Sequence, residues 1–238
     1  MYPENRFVKV ADFYNDNAFI QRRMGEELVS YMRGFDLLNF DKVFEIGCGT
    51  GLFTNIYTKE IKYQVLYLND VKNFVKINIA YKFIAGDIEK ITIDEQFNLV
   101  ISNAVFQWIN NISELFDKLH KITNKSSTIA FTTFGPKNLY QIKDILGIGL
   151  DYLDYESYKK LLNEKFKIIL AEEKVYDVVF PNVKDILKHF KYTGVNGVER
   201  TRWSKRDYNF FINAYEKYKN SYGYLLTYNP FYFIVKRR

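Results

Sequence analysis

The clearest chemical signal in the chain is the stretch Glu45-Ile46-Gly47-Cys48-Gly49-Thr50-Gly51. Gly47 and Gly49 let a backbone turn sharply and come close to a ligand, because no Cβ intervenes. The apolar run before the stretch reads as a strand and the run after it as a helix, so free N–H groups at the helix start are expected to face that ligand. The next run ends in Asn69-Asp70. A carboxylate placed at the end of a second strand can accept both hydroxyls of a ribose, and Asn69 could share that contact.

The spacing separates two kinds of cofactor. A dinucleotide site follows G-x-G-x-x-G, and its helix start receives a pyrophosphate. Here the pattern is G-x-G-x-G, preceded by Glu45 and with Leu52 where the last glycine of that pattern would fall. A carboxylate aimed into the loop repels a pyrophosphate but suits a cationic amino-acid group. S-adenosylmethionine carries an α-ammonium, a sulfonium and a ribose, and no phosphate, so the loop favours it.

The surrounding pattern predicts the scaffold. Strands are expected at Val43–Ile46, Gln64–Leu68, Lys82–Ala85, Phe97–Ser102 and Thr128–Phe134, with helices at Asn17–Arg33, Leu52–Glu60 and Ile112–Thr123. The unbroken apolar run at Phe97–Ser102 indicates burial on both faces of a parallel sheet. Such alternation predicts a doubly wound, mostly parallel α/β sheet preceded by an N-terminal helix. Beyond Pro136 the pattern turns helical, at Asp154–Glu164, Asn182–Tyr192 and Lys205–Asn220, which predicts a helical cap. Tyr224–Val235 reads as one extended C-terminal stretch with Ile168–Phe180 as its strand partner. One domain spanning 1–238 is expected: a cofactor core over about 40–135, a cap and substrate region over about 136–222, and a strand at 223–238.

Composition sets outer limits. Hydrophobic residues make up 47% and charged residues 26%, which excludes intrinsic disorder. The net charge of +6 suits an acidic partner, but the excess is spread along the chain rather than blocked. One cysteine excludes an internal disulfide framework and any multi-cysteine metal cluster. No apolar run reaches membrane-spanning length and Met1–Val10 lacks a signal core, so a cytoplasmic protein without membrane attachment is expected.

Glu45 to Gly51, Asp70, Gly86-Asp87-Ile88 and the segment Phe97 to Trp108 together resemble motifs I to IV of the class I S-adenosylmethionine-dependent methyltransferases, a Rossmann-like fold. The resemblance implies that Glu45, Gly47, Cys48 and Gly49 line the methionine part of the cofactor, with Gly51 completing the loop. It implies that Asp70 holds the ribose, that Asp87 and Ile88 meet the adenine, and that Asn103 closes the site with Gln107. Asp87 would otherwise serve only as a cap for the turn after Gly86. More narrowly, the chain resembles the malonyl-carrier-protein O-methyltransferases of biotin synthesis. Ile101–Trp108, Phe131–Gly135, Leu187–Val198 and Leu226–Tyr228 carry that likeness, as does the spacing of Phe7, Ala11, Tyr14, Ala18 and Gln21.

The chemistry this implies needs no metal and no general base, because a malonyl thioester ends in a carboxylate already ionised at neutral pH. Methyl transfer to it needs alignment and partial desolvation. Tyr14 is the N-terminal candidate to cover the cofactor and donate from its hydroxyl. Trp108 and Phe134 could exclude water, or equally pack the core. His189 falls in the Lys188–Asn196 signature, and Lys191 could offset the substrate charge or sit on a solvated face; His120 reads as a surface residue. A strong ion pair would stabilise the ground state more than a transition state in which the charge disappears, so neutral donors are expected to matter more than one dominant Arg. The expected partner is acidic malonyl-acyl carrier protein, or malonyl-CoA, met by a basic rim. Arg200, Arg202, Lys205 and Arg206 are the favoured cluster, ahead of Arg22 with Arg23 and of Lys236, Arg237 and Arg238.

Three rival readings remain: a methyltransferase of another small molecule, a nucleic-acid-modifying protein, and a non-catalytic cofactor binder. The second expects an Asn-Pro-Pro-Tyr type segment after the fourth strand, where Ser102-Asn103-Ala104-Val105 stands instead. The third is at odds with an intact glycine loop and Asp70.

Overall fold

The computed structural model describes residues 14–193 and 203–238. Helix α1 (Phe19–Gly34) leads into strand β1 (Asn39–Ile46), a short helix α2 (Thr54–Tyr57), β2 (Lys62–Asp70), β3 (Lys82–Ala85) and β4 (Phe97–Asn103). A 3-10 turn (Phe106–Trp108), α3 (Ile112–Lys121) and β5 (Thr123–Phe134) complete the first half. Strand positions follow the sequence pattern closely. Helix α2 is much shorter than Leu52–Glu60. Its β-branched Thr54 and Ile56, and Thr58 just after it, are stiff in a helix. In addition, the Thr58 hydroxyl donates to the Thr54 carbonyl at 2.7 Å, competing with the helical ladder.

The second half is less helical than its pattern predicts. It contributes α4 (Tyr140–Leu146), α5 (Tyr155–Lys165), β6 (Phe166–Glu173), β7 (Tyr176–Phe180), α6 (Val183–Thr193), α7 (Lys205–Tyr215), β8 (Lys219–Asn220), β9 (Gly223–Tyr228) and β10 (Pro230–Arg237). The expected helix over Lys205–Asn220 stops at Tyr215, because Lys219–Asn220 turns into a hairpin with β9. Asn220 Oδ1 accepts from the amides of Tyr222 and Gly223 there, and Gly223 adopts φ 143° with the Phe180 carbonyl where a Cβ would be. The single extended stretch expected at Tyr224–Val235 is two strands in two sheets. They part at Asn229-Pro230, whose Asn side chain donates to the Lys174 carbonyl at 2.8 Å. Ile168–Phe180 divides in the same way, β6 pairing with β10 and β7 with β9.

The main sheet runs β3-β2-β1-β4-β5-β10-β6, parallel except for β10; β7-β9-β8 forms a smaller antiparallel sheet. Successive β4 residues enter opposite cores, Leu99 and Ile101 on the face with α1, Val100 on the face with α3 and α5. The parallel strands therefore all end along one edge, where open sheets of this kind bind ligands. Lys236 pairs with Thr128, so the basic C-terminus lies at the opposite edge.

Helix α1 is tied to the second half through Glu27. Its carboxylate accepts from Tyr176 (2.5 Å), Tyr232 (2.7 Å), Lys174 (3.1 Å) and Arg23 (3.0 Å). Burial alone would raise its pKa, but those donors outweigh burial and hold it down at about 2. Such a depressed carboxylate stabilises the fold above its ordinary value near 4.5 and loses that contribution as pH falls toward 2. Glu27→Gln should lower the melting temperature at neutral pH by several degrees, for a loss of about 2 kcal/mol. Melts repeated at decreasing pH should show the gap closing between about 4.5 and 2; a pH-independent gap would contradict the assignment.

Candidate active site

A cleft, open to solvent at its mouth, lies over the carboxyl ends of β1, β2, β4 and β5. From the sequence-predicted set, Tyr14, Gly47, Cys48, Gly49, Asp70, Asn103, Gln107, Trp108 and Phe134 line it. Glu45, Gly51, Asp87, Ile88, His189 and Lys191 do not.

The glycine loop is shaped by close approach. Gly47 has φ 71°, and a Cβ there would lie 2.4 Å from Val105 Cγ2. The loop amides are spent inside the protein rather than left for a ligand. Gly47 and Cys48 both donate to the Asn69 carbonyl (2.8 and 3.0 Å), and Gly49 donates to Asp70 Oδ2 (2.8 Å). The division between Asn69 and Asp70 is resolved in space. Asp70 lines the cleft, its other oxygen accepting from the Val71 amide at 2.8 Å. Asn69 turns away and donates to the carbonyls of Ile84 and Gly86, holding β3 in place. Burial raises the Asp70 pKa against the pull of the amides of Gly49, Val71 and Lys72.

Glu45 lies beneath the loop, 1% exposed, and accepts from Thr54 Oγ1 (2.6 Å) and the Tyr57 hydroxyl (2.7 Å). Burial pushes its pKa up to about 7, despite those donors. Asp87 acts as a turn cap: it accepts from the Glu89 amide at 3.0 Å and pairs with Lys90 at 3.2 Å, while Ile88 is core. Gly51 packs against Val75 and Ile77.

Asn103 spends its amide on architecture. Its Nδ2 donates to the Gln21 carbonyl (2.8 Å) and its Oδ1 accepts from Thr132 (2.6 Å), fastening α1 over the ends of β4 and β5. Gln107 likewise donates to the Ala104 carbonyl at 2.6 Å and accepts from Thr133 at 3.3 Å. Ala104 is held at φ 56°, a strained value for a residue with a Cβ, where the chain leaves β4 toward Val105. Tyr14 lines the cleft close enough to Asp70 that burial and that charge together raise its pKa.

Sequence reasoning missed the far end of the cleft, where Asn138, Leu139, Ile142, Lys143, Tyr152, Phe190, Thr193 and Tyr228 converge. These residues come from α4, α6, β9 and connecting segments; Phe190, Thr193 and Tyr228 had stood in quoted motifs, but none had been assigned to the site. Tyr152 accepts from Asn138 Nδ2 at 2.8 Å, which leaves its own proton free to donate; burial pushes its pKa up to about 12. His189 sits behind this wall, its Nε2 paired with the Tyr228 hydroxyl. Burial lowers the His189 pKa to about 4, so the ring is neutral. Lys191 is exposed beside Tyr192. Asp70 and Lys143 supply the cleft's charged side chains among the described residues, and no cluster of three metal-ligating side chains occurs among them.

A sheet of this order, reversed only at its penultimate strand, is that of the class I methyltransferases. Residues 44–131 match the methyltransferase-domain family. The fold also resembles the N-methyltransferase NodS from Bradyrhizobium japonicum, solved with S-adenosyl-L-homocysteine, with a TM-score of 0.53 at 12% identity, covering 91% of this chain and 86% of that one. A malonyl-[acyl-carrier protein] O-methyltransferase of Calditerrivibrio nitroreducens is 44% identical over 98% of this chain and 96% of its own length. The corresponding protein of Acinetobacter baylyi is 31% identical over 98% of this chain and 94% of its own. The chain belongs to the malonyl-[acyl-carrier protein] O-methyltransferase family. No described helix is long and apolar enough to cross a membrane.

The Glu45 environment yields a pH signature. A carboxyl raised to about 7 in the fold contributes stability that is full below about 4.5 and is lost as pH rises through about 7. Glu45→Gln should therefore gain on the wild type across that range, by about 3 kcal/mol at most. Chemical denaturation at a series of pH values measures it; an unchanged difference between pH 5 and 8 would show that Glu45 is ionised throughout.

Proposed function

We propose that this chain transfers a methyl group from S-adenosylmethionine to the free carboxylate of a malonyl thioester carried on acyl carrier protein, an early step in making the pimeloyl chain of biotin. The observation that carries this reading is full-length similarity to proteins of that name, joined to a cleft whose acceptor end holds neutral donors and aromatic walls. S-adenosylmethionine fits the other end: Asp70 for the ribose, the close glycine loop, and apolar Val71, Phe74 and Val105 around it. When bound, it supplies an electrophilic methyl on a sulfonium.

The residues of this chain then have three tasks. Tyr14 covers the loop end, and Trp108 with Phe134 excludes water. Tyr152 and Tyr228 orient the substrate carboxylate. Both stay protonated because burial raises their pKa values, so both remain donors at every physiological pH. His189 acts through Tyr228, and Lys191 takes no part at the wall. A carboxylate nucleophile needs alignment rather than deprotonation, and this neutral setting keeps it from being trapped in a ground-state ion pair.

The thioester is presented by the carrier protein, with malonyl-CoA as a second source of the same acyl group; nucleic acid is not a substrate. Exposed Lys205 and Arg206, at the start of a helix α7 that packs on α4, form the basic rim for an acidic carrier. Arg200 and Arg202 lie outside the described residues. Arg23 is engaged by Glu27, and the C-terminal cluster is at the far edge of the sheet. The reaction takes place in the cytoplasm.

Release of S-adenosylhomocysteine, followed with malonyl- and acetyl-carrier protein, tests the assignment: turnover should require the malonyl carboxylate and weaken with salt. Tyr152→Phe should lower kcat/KM about tenfold. The wild-type profile should be flat between pH 6 and 8.5, since no group that titrates there drives the transfer. Equal turnover on the acetyl form, or a sharp acidic limb near pH 7, would contradict this reading.

A further inference from the structure

Among the described residues, one buried side-chain atom has no hydrogen-bond partner: Gln21 Oε1. Gln21 is 7% exposed, projects from α1 and lines the cleft. An orphaned buried carbonyl costs stability of a kind that folded proteins rarely leave uncompensated, and at a binding site it marks the place of a ligand donor. Its placement is deliberate in structural terms. The backbone carbonyl of the same residue is held by Asn103, itself held by Thr132, so the side chain is presented from a fixed point above the end of β4.

The identity of the donor follows from chemistry. A malonyl thioester ends in an ionised carboxylate and a thioester carbonyl, which are acceptors only, so the acyl group cannot satisfy Gln21. The cofactor offers donors at its ribose, its adenine amine and its α-ammonium. Asp70 takes the ribose side at the end of β2. Gln21 stands over β4, on the other side of β1, about 10 Å away across two strand spacings. Of the two donors left, the adenine amine belongs to a rigid ring joined directly to that ribose, whereas the ammonium sits on a flexible arm that can span the distance. No free carboxylate competes for it, because Glu45 is turned under the loop to Thr54 and Tyr57.

We propose that Gln21 Oε1 accepts a hydrogen bond from the α-ammonium of the bound cofactor and thereby fixes the aminocarboxypropyl arm; this rests on the cofactor reading above. Titration calorimetry with S-adenosylhomocysteine and with 5′-methylthioadenosine, which lacks that arm, separates the two. Gln21→Met should weaken S-adenosylhomocysteine binding about 10- to 100-fold while leaving 5′-methylthioadenosine within about twofold. The ligand-free Gln21→Met protein should melt no lower than wild type, since it loses an unpaired polar atom. Gln21→Glu, which puts an anion at the same place, should bind S-adenosylhomocysteine as well as wild type or better. Equal loss of both ligands, no loss of either, or a Gln21→Glu defect larger than that of Gln21→Met would overturn the proposal. Failure of the wild type to bind S-adenosylhomocysteine would overturn the cofactor reading itself.

Discussion

The cleft depends on how closely two loops approach each other at the ends of β1 and β4. Val105 occupies the space a side chain at Gly47 would need, and the left-handed backbone at Gly47 would resist a Cβ even without that neighbour. The strain at Ala104 serves the same contact by turning the chain so that Val105 faces the loop. From this contact the rest follows. The Asn69 carbonyl gathers the loop amides, Asp70 is set against Gly49, and Gln21 is hung over the opening by Asn103.

A second feature is the division of electrostatic labour. At the far end of the cleft the one charged side chain among the described residues is Lys143, which pairs with Asp151 at 3.8 Å, and the other titratable groups there are kept neutral by burial: His189 as an imidazole paired with Tyr228, Tyr152 and Tyr228 as phenols. For a reaction that consumes a negative charge, such a setting costs less ground-state stabilisation than a lysine or arginine clamp would. Ionic chemistry is placed instead in the Glu27 network, where it joins α1 to the second half of the chain, and at the rim.

Much of the scaffold was legible in the sequence because parallel strands buried on both faces write short apolar runs, as at Leu99–Ile101 within β4. The glycine loop and Asp70 were legible because their spacing reflects backbone geometry. Glu45 and Asp87 read as cofactor residues from their positions, and the fold adds what no spacing shows, that Glu45 accepts from Thr54 and Tyr57 and Asp87 from the Glu89 amide. The far end of the cleft could not be assembled from the sequence for a different reason. Tyr152 and Tyr228 lie far apart in the chain and are brought to one wall by β9 and the segment after α4, contacts that no local pattern encodes. The second half misled because Lys205–Asn220 is amphipathic at helical spacing, while a hairpin at its end decides where the helix stops.

Intact-mass spectrometry of malonyl-carrier protein, incubated with the enzyme and S-adenosylmethionine beside an acetyl-carrier control, tests the central claim most directly. The account predicts a methyl-sized gain on the malonyl form alone, removable by mild base as an ester. A protein that binds the cofactor yet leaves the malonyl form unmodified would contradict it.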